Sequence, residues 1–254
     1  MTPTPSVPEL YPHMRQTMDQ PWHAAKAQIT DELAELTLLP RMNPQKRREA
    51  HAIGIMGWTN PRANARTLGI TTDADKTDAV LRANRDEPEL IVVPERIENA
   101  DPAWRTPART EFFVDFETVS NLADDFSALP AEGGQPLIFQ IGCGQMVDGA
   151  WQFRQWTANR LTQPDEARII DAWLAFMRPQ LAGARLCHWS AAETSFLVSA
   201  YNAAQVRHPE RHWPELPWFD LLTQVVRAEP VAVRGAFNFG LQSVVKGMHA
   251  AGLV

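Results

Sequence analysis

The sequence predicts an α/β protein, a mixed sheet flanked by helices, preceded by a smaller, mainly helical N-terminal region. Three observations carry that prediction. From Glu111 onward, apolar runs of strand length alternate with segments of helical periodicity. The turn residues Val147-Asp148-Gly149 divide two of these runs closely enough to make a hairpin. Ahead of Glu111 the apolar residues recur mostly at helical spacing, in short segments punctuated by Pro and Gly.

Taken in order, residues 1–20 hold Pro3, Pro5, Pro8 and Pro12 among small and polar residues, a composition that buries too little surface to order itself and reads as a disordered lead-in. Residues 21–110 form the helical region and its linker. Ala25, Ile29, Leu33, Leu36 and Leu39 predict an amphipathic helix over residues 22–39, stopped by Pro40. A second helix starts at Asn43 with Pro44 in its first position and ends at Gly54. Residues 59–69 and 75–84 predict two more short helices, and Leu90-Ile91-Val92-Val93-Pro94 a short strand. Arg41, Lys46, Arg47, Arg48, Arg62 and Arg66 concentrate positive charge here, as a grip on a phosphate backbone would require and as a solvated helix face would equally show. The polar stretch 95–110, with Pro102 and Pro107, is the expected linker.

Residues 111–254 form the expected α/β domain. A strand over 111–120 leads through a polar loop to a strand over 136–144, which turns back along 150–156. Ala167, Ile169, Ile170, Trp173, Leu174 and Met177 predict a helix whose start, Pro164-Asp165-Glu166, places negative charge at its N-terminus. A short strand over 184–187, parallel to the first, precedes a helix over 191–204; Trp218-Phe219-Asp220-Leu221-Leu222 begins another element, and a helix over 239–250 is ended by Gly252.

The formal charge of −6 argues against a protein that coats nucleic acid without specificity, while leaving room for a local basic patch. Cys143 and Cys187 form no C-x-x-C pair, which points to a reducing compartment and away from a zinc ribbon or disulfide scaffold. The start lacks a secretory pattern and no apolar run reaches membrane-spanning length, so the expected setting is cytoplasmic.

The chemistry concentrates in Asp115-Phe116-Glu117-Thr118. Two carboxylates two residues apart on a strand share one face, where they repel each other and lose solvation. A divalent ion with oxygen preference, magnesium or manganese, offsets both costs. From spacing alone, a solvated strand face is the plainer account. Metal-free acid–base work by the pair is the weaker alternative, because both acids lie on one side of any substrate.

With these segments in order, the chain resembles the DEDD superfamily of 3′-to-5′ exonucleases, which have a ribonuclease-H-like fold. Asp115-Phe116-Glu117-Thr118 matches the family's first motif in full, and Ile138-Phe139-Gln140-Ile141-Gly142 resembles the strand that comes after it. The segment from His188 through Glu193 to Phe196-Leu197 resembles the second motif, with Glu193 at its acidic position; Asp220-Leu221-Leu222 and Leu241-Gln242-Ser243-Val244-Val245 resemble later segments. The likeness is to a divergent branch found beside RecB-type nucleases and helicases. It implies two-metal hydrolysis of phosphodiesters with Mg2+ or Mn2+, acting on single-stranded or frayed DNA ends in preference to RNA, with a helicase or nuclease as a possible partner. Asp115 would bridge the ions, Glu117 would bind the nucleophile-side ion, Glu193 would serve the second, and His188 would orient Glu193. The family's last motif places an Asp on the final helix, yet no acid follows Leu241. Either Asp220 is recruited to the metal, or the domain is truncated at its C-terminus or has lost the ligand, the preferred expectation. The alternative function is a nucleic-acid-binding or partner-binding module that keeps the nuclease fold without full catalysis.

Overall fold

A computed structural model describes residues 14, 22–98, 102–119, 137–189 and 196–254. In chain order the elements are helices α1 (His23–Glu32), α2 (Pro44–Ala52) and α3 (Ala74–Leu81), strands β1 (Val92–Val93), β2 (Thr110–Val119), β3 (Leu137–Val147) and β4 (Ala150–Thr157), helix α4 (Gln163–Met177), strand β5 (Ala184–His188), helix α5 (Phe196–Arg207), strands β6 (Trp218–Asp220) and β7 (Ala232–Val233), and helix α6 (Leu241–Ala250). They divide into two units. The first takes its residues from Met1–Asn99 and Val226–Val254, the second from Ala100–Val225.

The second unit is α/β. Its five-stranded sheet runs β4-β3-β2-β5-β6, antiparallel across β4, β3 and β2 and parallel across β2, β5 and β6. The β3–β4 hairpin closes on Asp148 (φ 50°) and Gly149 (φ 78°), the pair of positive φ angles that matches strand twist. Alternation along β2 sends Phe112, Val114 and Phe116 into the core, where they meet Ile141 and Cys143 of β3 and Leu186 of β5. Ile169, Ile170, Trp173 and Met177 on one stripe of α4, and Leu197, Ala200, Tyr201 and Ala204 of α5, complete that core. The hairpin, the parallel β5 and the α4 stripe agree with the sequence.

One charge is buried in this core. Glu166, fully enclosed, accepts hydrogen bonds from Ile138 N (2.8 Å) and from Arg207 Nη2 (2.6 Å) and Nε (3.0 Å), and it meets His208 Nε2 at 3.0 Å. Every carboxylate oxygen is thereby occupied, which is the condition for keeping a charge out of water.

In the first unit α2 forms as expected, with Asn43 Oδ1 accepting from Lys46 N (2.9 Å) and Gly54 at φ 80°. The expected helix over 22–39 stops early, at Glu32. Ala34 takes a positive φ of 48°, and its carbonyl accepts from Trp58 N (2.8 Å). Leu36 and Leu39 still reach the core, by a turn. Residues 59–69 form turns in place of a helix, because Asn60 Oδ1 accepts from Arg62 N and Asn64 Oδ1 from Thr67 N, both at 2.9 Å, competing with helical bonds.

The basic cluster stays mostly at the surface. Only Arg47 is buried, against Glu35 (2.8 Å); Lys46 is half-buried, and Arg41, Arg48, Arg62 and Arg66 are exposed, Arg41 pairing with Asp73 and Arg62 donating to Ile53 O. The chain end belongs here as well. β7 pairs antiparallel with β1, Val92 opposite Val233, and Gly247 of α6 packs against Val233. The sequence pattern instead presents 111–254 as one domain. The difference arises because the partner of β1 lies far downstream, where two residues give no readable strand signal.

Candidate functional site

β2 is the central strand of the sheet, and its alternation leaves Asp115 and Glu117 exposed on the face opposite the helical core. The two Cα positions are about 7 Å apart along the strand. Asp115 Oδ1 accepts from Phe116 N (3.0 Å), which fixes the carboxylate and leaves its second oxygen open. Burial by the surrounding chain holds the Asp115 carboxyl above its ordinary pKa, with the Phe116 amide pulling the other way, although the residue still reaches solvent. Among the described residues no Lys, Arg or His forms an ion pair with either acid. A bulge lies directly beyond them: Glu117 pairs with Gln140 and Thr118 with Ile138, so Phe139 is the extra residue on β3. Such a bulge ends the regular pleat beside the acids and re-aims the side chains past it.

Asp220 ends β6, opposite His188 at the end of β5 in parallel register. Both therefore stand at the carboxyl edge of the parallel strands, where α/β sheets bind ligands. Asp220 Oδ1 accepts from Leu222 N (3.0 Å) and Thr223 N (3.2 Å), so that oxygen caps the next helical turn. His188 is buried with its ring edge-on to Trp218, centroids 5.9 Å apart. Burial lowers its pKa, an effect that Asp220 opposes. Glu193 lies outside the described residues. Among the described residues no three His, Cys, Asp or Glu side chains converge on one metal position. The structure thus brings Asp115 and Glu117 to one face and sets Asp220 beside His188.

The sequence offers Trp151, Trp156, Trp189, Trp213 and Trp218 for stacking on unpaired bases, most of them expected in core or rim packing, and adjacency to the acids singles out Trp189 and Phe116. Phe116 is in the core, edge-on to Trp173 at 5.4 Å, because it alternates with the two exposed acids. Trp189 is half-buried. The exposed rings are Trp151 (54%) and Phe153 (59%) on β4, lying across Gly144 and Gly142 of β3. The readable signal is Gly142-x-Gly144 on one arm of the hairpin against Trp151-x-Phe153 on the other. Burial pushes the thiols of Cys143 and Cys187 up to about 11, which removes thiolate chemistry at neutral pH.

No helix among the described residues is long and apolar enough to cross a membrane. The acid pair on the open face of the central strand, the Asp220–His188 edge and the glycine-backed rings all belong to the second unit's sheet. No protein-family model matches the chain, and comparison with curated proteins finds no match.

Proposed function

We propose that the second unit is a metal-dependent phosphodiester hydrolase with a ribonuclease-H-like sheet, acting as a 3′-to-5′ exonuclease of the DEDD type on single-stranded or frayed DNA ends. The observation that carries the reading is the pair Asp115 and Glu117 on the open face of the central strand, in a sheet whose first three strands are antiparallel and whose next two run parallel to the first. The donor set fits magnesium or manganese: hard carboxylate oxygens, with no cation against them among the described residues, on a strand where burial of Asp115 disfavours a bare charge. Asp115 and Glu117 would hold the ions, with Glu193 or Asp220 as the further ligand. When bound, such ions activate water and stabilise the leaving oxygen. The chain's own contributions are the fixed orientation of Asp115 by the Phe116 amide and the buried His188 beside Asp220.

The test is degradation of an end-labelled single strand with magnesium or manganese by the purified chain. Asp115→Asn, which keeps the shape and removes the charge, should abolish it. An unchanged rate would rule out the assignment.

A second reading has its own observation. Asp220 Oδ1 caps a helical turn and no third ligand joins the acid pair among the described residues. A non-catalytic nucleic-acid-binding module built on the same sheet accounts for that arrangement, and metal-dependent hydrolysis by the purified chain would exclude it.

A further inference from the structure

The open face of the second unit's sheet carries a row of features that the acid pair alone does not explain. An ideal Cβ built on Gly144 would lie 2.1 Å from Trp151 Cζ2, and one on Gly142 would lie 3.2 Å from Phe153 Cζ. Trp151 therefore lies across β3 only because position 144 is glycine, and Phe153 lies close enough to Gly142 that a side chain there would push it aside by a few tenths of an ångström. Glycine weakens a strand interior, and in that position it marks a close approach, here of two aromatic rings. Those rings keep more than half of their surface in solvent, at 54% and 59%. The covered part of each ring packs on the glycine strand and helps pin the hairpin register, while the other half of its surface faces solvent.

Gly142 is the direct cross-strand partner of Asp115, and Gly144 that of Phe113. Phe113 stands 5.5 Å from Trp151, ring centroid to centroid. The platform thus abuts the acids at one end. At the other it runs through Phe113 and Met146 into a cleft of about 660 Å³ lined also by Trp104, Arg105 and Arg109. Both arginines are exposed, and neither forms an ion pair with a carboxylate among the described residues. Rings and carboxylates thus share the open face of the sheet and the arginines line the cleft at its end, where Glu111, paired with Arg185 (3.2 Å), and Asp148 also stand.

We infer that this face is a track for an unpaired nucleic-acid strand, with bases stacked on Trp151 and Phe153 and phosphates held by Arg105 and Arg109. The inference rests on the hydrolase reading for what happens at Asp115. An unpaired strand is the fitting occupant because only unstacked bases offer their faces to flat rings, whereas a duplex hides them. Anionic phosphates meet the two arginines, a complementarity that an apolar protein partner would not use.

The experiment measures binding of labelled oligothymidylate and oligouridylate to the full chain in EDTA, which suspends hydrolysis. Trp151→Ala and Phe153→Ala should each weaken binding about 5- to 100-fold, as loss of a stacked base does, while Trp151→Phe keeps most of the affinity. Arg105→Gln and Arg109→Gln should each flatten the slope of log K against log salt by about 0.7. The two oligonucleotides separate a track indifferent to the sugar from one selective for DNA or RNA. Alanine variants that bind as the wild type does overturn the track even if the chain hydrolyses DNA, and leave the hydrolase reading standing. Ring-dependent binding by a chain that never hydrolyses supports the track and sinks the hydrolase. Wild-type chain that binds neither oligonucleotide, or self-associates through Trp151 instead, overturns the track as well.

Discussion

The two units solve the problem of order differently. The second is written in one stretch of chain, with β2, β3 and α4 long enough for hydrophobic periodicity to fix which face is buried. The first is drawn from two stretches, with strands of two residues and turns where the spacing predicts helices. Its order depends on polar contacts: Arg47 buried on Glu35, and Arg85 Nη1 donating to the carbonyls of Trp58 (3.2 Å), Asn60 (2.8 Å) and Ala63 (2.8 Å). One arginine thereby gathers carbonyls that no helix satisfies. The contrast teaches that short elements are specified by where their unmet backbone groups find partners, and long ones by the period of their side chains.

The comparison is tested most severely by removing one buried carboxylate from each unit. Glu166→Ala strands Arg207 and His208 without their anion and should cost about 3 to 5 kcal/mol in urea unfolding. Glu35→Ala should cost about 3 kcal/mol, the lower end, because the Arg47 side chain keeps 9% exposure and regains some water. Hydrogen exchange gives the sharper result. In the Glu35 variant, protection should fall together in α2 and at the Arg234 amide, which donates to Ile91 O (2.9 Å), while β2 and β3 stay protected. Loss of protection in β2 and β3 along with α2 would break the division into units.

Gly247→Ala probes the closure of the first unit. The added Cβ would lie 2.8 Å from Arg234 O and 2.9 Å from Val233 Cγ1, and a backbone oxygen cannot swing aside. About 1 to 3 kcal/mol should be lost, with β7 the first segment to exchange. The smallest effect belongs to Asp73, whose carboxylate Lys76 and then Arg41 hold below its ordinary pKa of 3.8. A depressed folded value stabilises above pH 3.8, and the gain is lost as pH falls through that lower value. Asp73→Asn keeps a residue type that tolerates the left-handed φ of 54° there and should cost about 0.5 kcal/mol at neutral pH. Wild-type and variant stabilities should converge in acid.

Much of the second unit was legible because β2 obeys a period of two. That period places Asp115 and Glu117 on one face, and it equally places Phe116 on the other, where adjacency to the acids counts for nothing. Proximity in sequence misled at Phe116; Trp151 was among the tryptophans the sequence offers for stacking, and its place across the hairpin, with Phe153 beside it, shows only through the glycines of β3. Asp220 was legible as an acid after a strand, but its bond to the Leu222 amide depends on the sharp turn beyond it. In residues 59–69 the apolar spacing was real, since Ala63, Ala65 and Leu68 are buried. What the spacing did not encode was the competition from Asn60 and Asn64 for the backbone.

The pairing of Val92 with Val233 also sets an order of events during synthesis. Chains fold as they emerge, usually with the N-terminal part first. Here β1 and the helices before it leave the ribosome early, yet β1 has no strand to pair with until the whole of Ala100–Val225 has emerged. The later-made sheet can close first, and the earlier-made unit waits for its last strand, keeping Val93 without its cover through most of translation.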